Sequence, residues 1–211
     1  FANLEKLSYS AIKPKPYDFL KSRIVKVPTY SQTSSGGFGR EFGDAVHKDI
    51  QKLLNNKVKI TDFSGNEKIA LENALGAIEE LSKQFAGLKL DSTELSFLPH
   101  KLPVSAITNY SGDIILDGKI DAVFKHDDGV LIVDWKTDKD INSEYKQQVA
   151  FYKKVYSKIT GTPEDKITIC VVYISLRDSI STGKLGAAID FVKRGDPFET
   201  FENHLKTILG W

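Results

Sequence analysis

The segment Gly129–Asp138, with the sequence GVLIVDWKTD, constrains the fold more than any other part of the chain. Its first half is an uninterrupted run of β-favouring apolar residues, which predicts a buried strand. That strand ends in charge, because Asp134 and Lys136 follow on either side of Trp135. Side chains alternate along a strand, so Asp134 and Lys136 share one face and Trp135 lies on the other, apolar face. Two opposite charges therefore point to the same side of an apolar strand.

The preceding segment, residues 113–125, predicts a partner strand that joins the first through the turn HDDG. Asp121 belongs to its polar face. A two-residue loop at Asp127 and Asp128 sets Asp121 opposite Asp134, and a loop one residue later sets Asp121 opposite Lys136. Both registers bring the two acids and the lysine to one face, whereas a three-residue loop would separate them. The apolar face of this strand would consist of Leu116, Ile120, Ala122 and Phe124.

The facing acids have a direct chemical interpretation. Two carboxylates opposite each other across a ladder repel by roughly 0.2–1 kcal/mol, and by more if they are buried. A cation between them removes that penalty, and hard oxygen ligands favour Mg²⁺ or Mn²⁺. A lysine beside the pair can hold a phosphate or orient the attacking water, so the set suits metal-assisted phosphodiester hydrolysis. The competing interpretation is an exposed cross-strand ion pair without catalytic function.

The composition is that of a soluble globular protein, with 211 residues, 41% of them hydrophobic and 27% charged. No apolar run approaches the roughly 20 residues that cross a bilayer, so we expect a cytoplasmic protein without a membrane segment. The 29 basic and 28 acidic residues nearly cancel, and a nucleic-acid partner would need a locally basic groove. The single cysteine, Cys170, excludes an internal disulfide, and its apolar neighbours predict a buried, inert thiol.

Hydrophobic periodicity predicts further elements on both sides of the hairpin. Residues 1–38 are rich in turn-forming residues and predict irregular structure. The predicted helices cover residues 39–55, 67–86, 143–159 and 197–211, and the other predicted strands cover residues 92–98, 166–175 and 186–193. This order predicts an α/β fold, with a mixed central β-sheet flanked by helices, in one domain over residues 1–211.

Four short motifs fall on these elements in a fixed order. They are Gly43 to His47 on a helix, Gly118 to Asp121 and Asp134 to Lys136 on the paired strands, and Gln148 to Tyr152 on the next helix. The series resembles the RecB-like branch of the PD-(D/E)XK nuclease superfamily, as found at the C-terminus of UvrD-type helicases. The likeness covers at least residues 7–156, including the opening LSYSAIKPKPYDFL, and implies a restriction-endonuclease-like fold.

The resemblance implies a role for each matched residue. His47, Asp121, Asp134 and the backbone carbonyl of Trp135 would bind Mg²⁺ or Mn²⁺. Lys136 would position water or phosphate, so that Asp121, Asp134 and Lys136 form the catalytic set. His47 has an ordinary alternative as a hydrogen-bonded helical residue.

Three further residues match positions around that metal. Gln148 and Tyr152 are neighbours on one helix face and would line the active site, where they contact DNA or steady the lysine. Tyr152 also fits the packing stripe of its helix, and both interpretations can hold together. Glu94 matches an acidic position that some relatives use near the metal, although a solvent-facing strand residue explains it equally well. Gly43 would let its helix approach the sheet closely.

The resemblance also implies cofactors and partners. Some relatives hold an iron–sulfur cluster through four cysteines, the first of them just before a proline near the N-terminus. Here Lys15 precedes Pro16 and Cys170 is the only cysteine, so we expect no iron–sulfur cluster. DNA is the expected partner, as single strands or unwound ends, and DNA repair or recombination is the expected process.

The chain contains no methionine and begins with Phe1, which predicts a segment of a longer protein with a fused or associated helicase. An exonuclease fed by that helicase is the expected activity. Two alternatives remain open: a non-catalytic DNA-binding module that keeps the nuclease fold, and a stand-alone processing nuclease of a mobile element. Asp121, Asp134 and Lys136 favour catalysis, because a module without chemistry has no need of facing acids.

Overall fold

The structure is a computed structural model that describes residues 5–12, 39–177, 185–192 and 198–209. Its strands are β1 (Lys6–Ser8), β2 (Lys89–Ser96), β3 (Ile115–Asp117), β4 (Lys119–His126), β5 (Gly129–Lys136), β6 (Ile167–Arg177) and β7 (Leu185–Phe191). Its α-helices are α1 (Tyr9–Ile12), α2 (Arg40–Leu54), α3 (Gly65–Gln84), α4 (Glu144–Thr160) and α5 (Phe198–Leu209). Within the described ranges, no helix is long and apolar enough to cross a membrane.

The main sheet has five strands in the order β2-β4-β5-β6-β7. The β5–β6 pair is parallel, and the other neighbouring pairs are antiparallel. Parallel neighbours need a crossover connection, which α4 supplies between β5 and β6. A separate parallel ladder joins β1 to β3.

Helices cover both faces of this sheet because its central strands are apolar on both sides. Along β5, Val130 and Ile132 pack against α4 and α5, whereas Leu131 and Val133 pack against α2 and α3. We call these two sides the α4 face and the α2 face. Cys170 of β6 lies on the α2 face with no exposed surface, as predicted for an inert thiol. The mixed sheet between two helical layers confirms the predicted α/β fold and is consistent with a restriction-endonuclease-like architecture.

The β4–β5 hairpin adopts the first of the two predicted registers. Ala122 pairs with Val133 and His126 pairs with Gly129, which leaves residues 127 and 128 as the loop. Continued by one residue, this register sets Asp121 opposite Asp134. The alternative register, with Asp121 opposite Lys136, is wrong.

The segment 113–125 is not the single strand that its sequence predicts. It divides into β3 and β4 at Gly118, which has a φ of +154°. A Cβ atom at Gly118 would lie 2.9 Å from the ring of Phe97, so only glycine fits this position without displacing the ring.

The predicted apolar face of this segment is also wrong. Leu116 and Ile120 pack on the α4 face, whereas Ala122 and Phe124 pack on the α2 face. Strict alternation from Ile120 to Ala122 would keep both side chains on one face. The strand therefore changes face within the two residues that flank Asp121.

Other boundaries shift by a few residues, and one prediction fails. Residues 6–12 form β1 and α1 instead of irregular structure, because Leu7 and Tyr9 are buried in the core of the α4 face. Strand β2 begins three residues earlier than predicted. The remainder of the predicted irregular segment, residues 1–4 and 13–38, lies outside the described residues, as do Gly210 and Trp211 at the end of the last predicted helix.

We expect Gly129→Ala to destabilise the fold. Gly129 has a φ of +158°, and a Cβ atom there would collide with the backbone carbonyl oxygen of Lys166, the residue just before β6. A backbone atom cannot rotate away as a side chain can, so β5 and β6 would have to separate locally, at a cost of about 1–3 kcal/mol. Urea denaturation followed by circular dichroism would measure the change.

The matched control is Gly76→Ala. A Cβ atom at Gly76 would meet nothing within 4 Å, and alanine is favoured over glycine inside a helix by about 0.8–1 kcal/mol. The two substitutions should move the urea midpoint in opposite directions. An unchanged midpoint for Gly129→Ala would contradict the close approach of the two strands.

Candidate active site

Four ionisable side chains meet where β4 and β5 part. His47 comes from α2, Asp121 from β4, and Asp134 and Lys136 from β5. His47 Nδ1 lies 3.5 Å from Asp121 Oδ2, and Lys136 Nζ lies 2.6 Å from Asp134 Oδ2. The charges of all four groups influence one another. We call these four residues the charged cluster.

Asp121 takes the place of a backbone acceptor in the β4–β5 ladder. The regular pairing ends at Ala122 and Val133, and beyond it the backbone N–H of Trp135 donates to Asp121 Oδ2 at 2.9 Å. The Asp121 carboxylate therefore lies between the two strands. The N–H and C=O of one strand residue point to the same side, so the carbonyl of Trp135 faces this gap as well.

His47 reaches Asp121 because α2 lies close to the end of β5. Val46 and Ile50 are buried on the α2 face and anchor the helix. At Gly43, one turn before His47, a Cβ atom would lie 3.0 Å from Thr137 Oγ1, just after β5. A side chain at position 43 would meet this hydroxyl, so the close approach of α2 agrees with the role predicted for Gly43.

The four side chains of the charged cluster differ in their exposure to solvent. The exposed fraction of the side chain falls from 26% at His47 to 15% at Asp121, 14% at Lys136 and 2% at Asp134. Asp134 Oδ2 is buried against the Lys136 ammonium, with which it forms an ion pair at 2.6 Å. The charged cluster is therefore partly exposed at His47 and closed at Asp134, and we use the word recess for this arrangement, with Asp134 as its base.

The His47–Asp121 pair favours its charged form. Burial lowers the pKa of His47, but the contact with the Asp121 carboxylate outweighs burial and leaves this pKa above its usual value. Burial likewise raises the pKa of Asp121, and the contact with His47 outweighs it, so the net shift is downward. Each group stabilises the charge of the other.

In the Asp134–Lys136 pair, both pKa values are raised. Burial, together with the negative charge of Asp121, raises the pKa of Asp134 above its usual value even though Lys136 lies beside it. Burial lowers the pKa of Lys136, but the two carboxylates outweigh this effect and raise the pKa. Lys136 therefore keeps its proton and remains a cation in the recess.

Tyr152 on α4 lies within the electrostatic influence of Asp134 and Asp121, and Gln148 bonds to it. Gln148 Nε2 donates to the Tyr152 hydroxyl at 2.6 Å, and the Tyr152 ring packs edge-on against Phe97. Burial and the charges of Asp134 and Asp121 raise the pKa of Tyr152 well above its usual value. Tyr152 thus belongs to the packed core and faces the acids at the same time, as the sequence allowed.

Glu94 lies on β2 and binds a neighbouring cation. Its Oε2 is 2.7 Å from the Nζ of Lys119, and its φ of +53° is unusual for a residue other than glycine. The negative charge of Asp121 also raises the pKa of Lys119, so the Glu94–Lys119 ion pair borders the charged cluster. A metal-binding role for Glu94 stays a prediction.

Sequence reasoning missed three residues around the cluster, namely Tyr145, Asp138 and Tyr9. Lys136 Nζ lies 4.6 Å from the centre of the Tyr145 ring, and the Tyr145 hydroxyl donates to Asp138. The Tyr9 hydroxyl donates to the carbonyl of Glu144 at the start of α4. Tyr145 is three residues before Gln148, so helical spacing could have placed it on the same face.

The predicted metal ligands do not form a ready-made cage. In the part of the chain that the structure describes, no group of three His, Cys, Asp or Glu side chains lies close enough together to hold a metal ion. His47 is instead paired with Asp121, and Asp134 with Lys136. A bound cation would have to replace part of these contacts.

The family of this chain follows from sequence comparison. Residues 15–210 match the profile of the PD-(D/E)XK nuclease superfamily. An ATP-dependent helicase/nuclease subunit from Thermoanaerobacter sp. (strain X514) is 26% identical over 167 residues, covering 65% of this chain and 14% of that protein. The protein of the same name from Clostridium botulinum (strain Alaska E43 / Type E3) is 26% identical over 188 residues, covering 73% of this chain and 15% of that protein.

A third protein of this name, from Clostridium botulinum (strain 657 / Type Ba4), is 34% identical over 135 residues, covering 56% of this chain and 10% of that protein. The chain thus spans only a small part of the length of the relatives that it matches. The superfamily profile, in contrast, covers most of the chain and includes every residue of the charged cluster. The chain belongs to the PD-(D/E)XK nuclease superfamily.

Proposed function

We propose that this chain is a divalent-metal-dependent nuclease domain that hydrolyses phosphodiester bonds in DNA. The observation that supports this function is the charged cluster, in which two carboxylates, an ammonium and an imidazole meet in a solvent-reached recess. Facing acids at the end of paired strands carry an electrostatic cost that catalysis explains. Membership of a nuclease superfamily supports the same conclusion.

The donor set fits a hard divalent cation. His47, Asp121, Asp134 and the carbonyl of Trp135 would hold Mg²⁺ or Mn²⁺, since carboxylate and carbonyl oxygens suit both ions and imidazole suits Mn²⁺ as well. Asp134 contributes a buried carboxylate whose Oδ2 already lies 2.6 Å from a cation, the Lys136 ammonium, so this position suits positive charge. A bound cation would neutralise charge on the phosphate and lower the pKa of a coordinated water.

Lys136 would act on the phosphate or on the attacking water. Its raised pKa makes it a cation at neutral pH, so it donates hydrogen bonds and attracts negative charge but does not accept a proton. Asp134 orients the ammonium from the base of the recess. The Gln148–Tyr152 pair on α4 would contact DNA or limit the movement of the lysine.

The wider setting is an extension of this proposal. The relatives carry the words helicase and nuclease in their names, and the chain matches a small part of them. We therefore propose that residues 1–211 form one RecB-like nuclease domain of a longer, cytoplasmic helicase–nuclease that acts in DNA repair or recombination. The domain would act as an exonuclease on single strands or unwound ends, because the helicase of such a protein would supply unwound strands.

Manganese should raise the thermal unfolding midpoint of the wild-type chain but not that of Asp134→Asn. A ligand that binds only the folded state adds about 2.7 kcal/mol at 100 times its dissociation constant. Asp134→Asn keeps the side-chain shape and removes the charge at the base of the recess. Scanning calorimetry with Mn²⁺ or with a chelator would measure both midpoints.

Asp91→Asn is the matched control for this measurement. It also removes a carboxylate from the main sheet, but Asp91 lies on β2 and pairs with the exposed Lys125. The manganese effect should persist in this variant. The same shift in Asp134→Asn and in the wild type would place the cation outside the charged cluster.

Lys136→Ala should lower nuclease activity by about 10²- to 10³-fold, the usual loss when a group that stabilises transition-state charge is removed. The assay follows cleavage of end-labelled single- and double-stranded DNA while Mg²⁺ or Mn²⁺ is titrated. Lys125→Ala is the matched control, because Lys125 lies on β4 outside the recess and is largely exposed. Its activity should equal that of the wild type.

The same assay distinguishes catalysis from binding alone. A metal-independent background that is equal in the wild type and in Lys136→Ala would support the non-catalytic DNA-binding module. If the protein also retained a labelled DNA strand without cleaving it, that result would show that it binds DNA without catalysis.

A further inference from the structure

Lys136 needs more than one contact to act from a fixed position. Its four-carbon side chain is flexible, and its ammonium is a compact charge without a preferred direction. The structure provides two contacts at its Nζ, namely Asp134 Oδ2 at 2.6 Å and the ring of Tyr145, whose centre lies at 4.6 Å. A cation within about 6 Å of a ring centre is attracted to the aromatic face, and more strongly where water is excluded.

Tyr145 is itself held in place. Its hydroxyl donates to Asp138 Oδ2 at 2.9 Å, and its ring centre lies 6.3 Å from that of Tyr173. Burial raises the pKa of this phenol, and the charge of Asp138 raises it further, so the hydroxyl keeps its proton and remains a donor.

Tyr173 extends this support to the main sheet. The backbone N–H of Asn142 donates to the Tyr173 hydroxyl at 3.1 Å, and that hydroxyl donates to the carbonyl of Asn142 at 2.9 Å. Asn142 lies in the connection between β5 and α4, and Tyr173 lies on β6. The Tyr145 ring on α4 is therefore supported by the β5–α4 connection and by β6.

We propose that Tyr145 is a positioning residue for Lys136, which it holds through the face of its ring, and that Asp138 fixes the ring. This inference rests on the proposed function, because Lys136 matters only if it acts on water or phosphate. Asp134 is also a proposed metal ligand, and a carboxylate that binds a cation attracts a neighbouring ammonium less strongly. The aromatic face is not part of the proposed donor set, so its contact with Lys136 does not depend on Asp134.

The kinetic test compares Tyr145→Leu with Tyr145→Phe in the 211-residue chain. Tyr145→Leu removes the ring and should lower kcat about tenfold with an unchanged KM. Tyr145→Phe keeps the ring and should restore most of this loss. Asp138→Asn, which still offers an acceptor to the hydroxyl, should resemble Tyr145→Phe.

Tyr156→Leu is the matched control. Tyr156 is buried on the same helix, about three turns after Tyr145, and lies outside the charged cluster. Tyr156 is more deeply buried than Tyr145, so its replacement removes at least as much packing from α4, and it should still leave kcat unchanged when all variants are assayed well below their unfolding temperatures. A fall in kcat as large as that of Tyr145→Leu would make the effect a general weakening of α4 and would overturn the proposal.

A spectroscopic test needs no activity. In metal-free protein with ¹³C-labelled lysines, the ε-methylene signal of Lys136 is identified by its absence in Lys136→Ala. The ring of Tyr145 should shift this signal upfield, and the shift should persist in Tyr145→Phe and disappear in Tyr145→Leu. If Tyr145→Leu does not fold, an unshifted Lys136 signal in the wild type still overturns the contact.

The two proposals can fail separately. If the wild type cuts DNA and Tyr145→Leu is equally active, the positioning role is wrong and the proposed function stands. If Tyr145→Phe is as defective as Tyr145→Leu, the hydroxyl and not the ring is responsible, and the positioning role is again wrong. A wild-type chain that cuts no DNA overturns the proposed function and the kinetic role of Tyr145 together.

Discussion

The hydrogen bond from the Trp135 N–H to the Asp121 carboxylate determines how the whole site is arranged. In an uninterrupted ladder this N–H would bond to a backbone carbonyl of β4, and the Asp121 side chain would point away from the sheet. With the carboxylate inserted between the strands, β4 and β5 part at their ends and His47 can reach Asp121 from the α2 face. The change of face between Ile120 and Ala122 occurs at the same point.

Much of this architecture could be predicted from the sequence, because side chains alternate between the two faces of a strand. The apolar run before Asp134 predicts a buried strand, and the opposite faces of that strand do contact different helical layers. The choice between the two hairpin registers could not be made from the sequence, because both place the same side chains on the same face. The division at Gly118 and the burial of Leu7 and Tyr9 depend on tertiary contacts with distant residues, which a local pattern does not show.

The charged cluster shows the same limit at the level of single residues. Asp121, Asp134 and Lys136 could be predicted to meet, since strand geometry alone brings them together. Tyr145 could not be assigned a role, because its contact with Lys136 depends on how α4 packs across the end of β5. The pairing of His47 with Asp121 and of Lys136 with Asp134 likewise needs the three-dimensional positions, which also explain why the two acids differ in the direction of their pKa shifts.

The parallel pairing of β5 with β6 has a consequence for the order in which the protein matures. The acids and the lysine are complete by residue 136, but the wall formed by α4 and the supporting strand β6 comes from residues 144–177. During synthesis the charged groups therefore leave the ribosome before the segment that encloses them. Long-range parallel contacts form late because the loop-closure entropy must be lost first. A nascent chain thus carries the residues of the charged cluster in an unassembled form until the crossover docks.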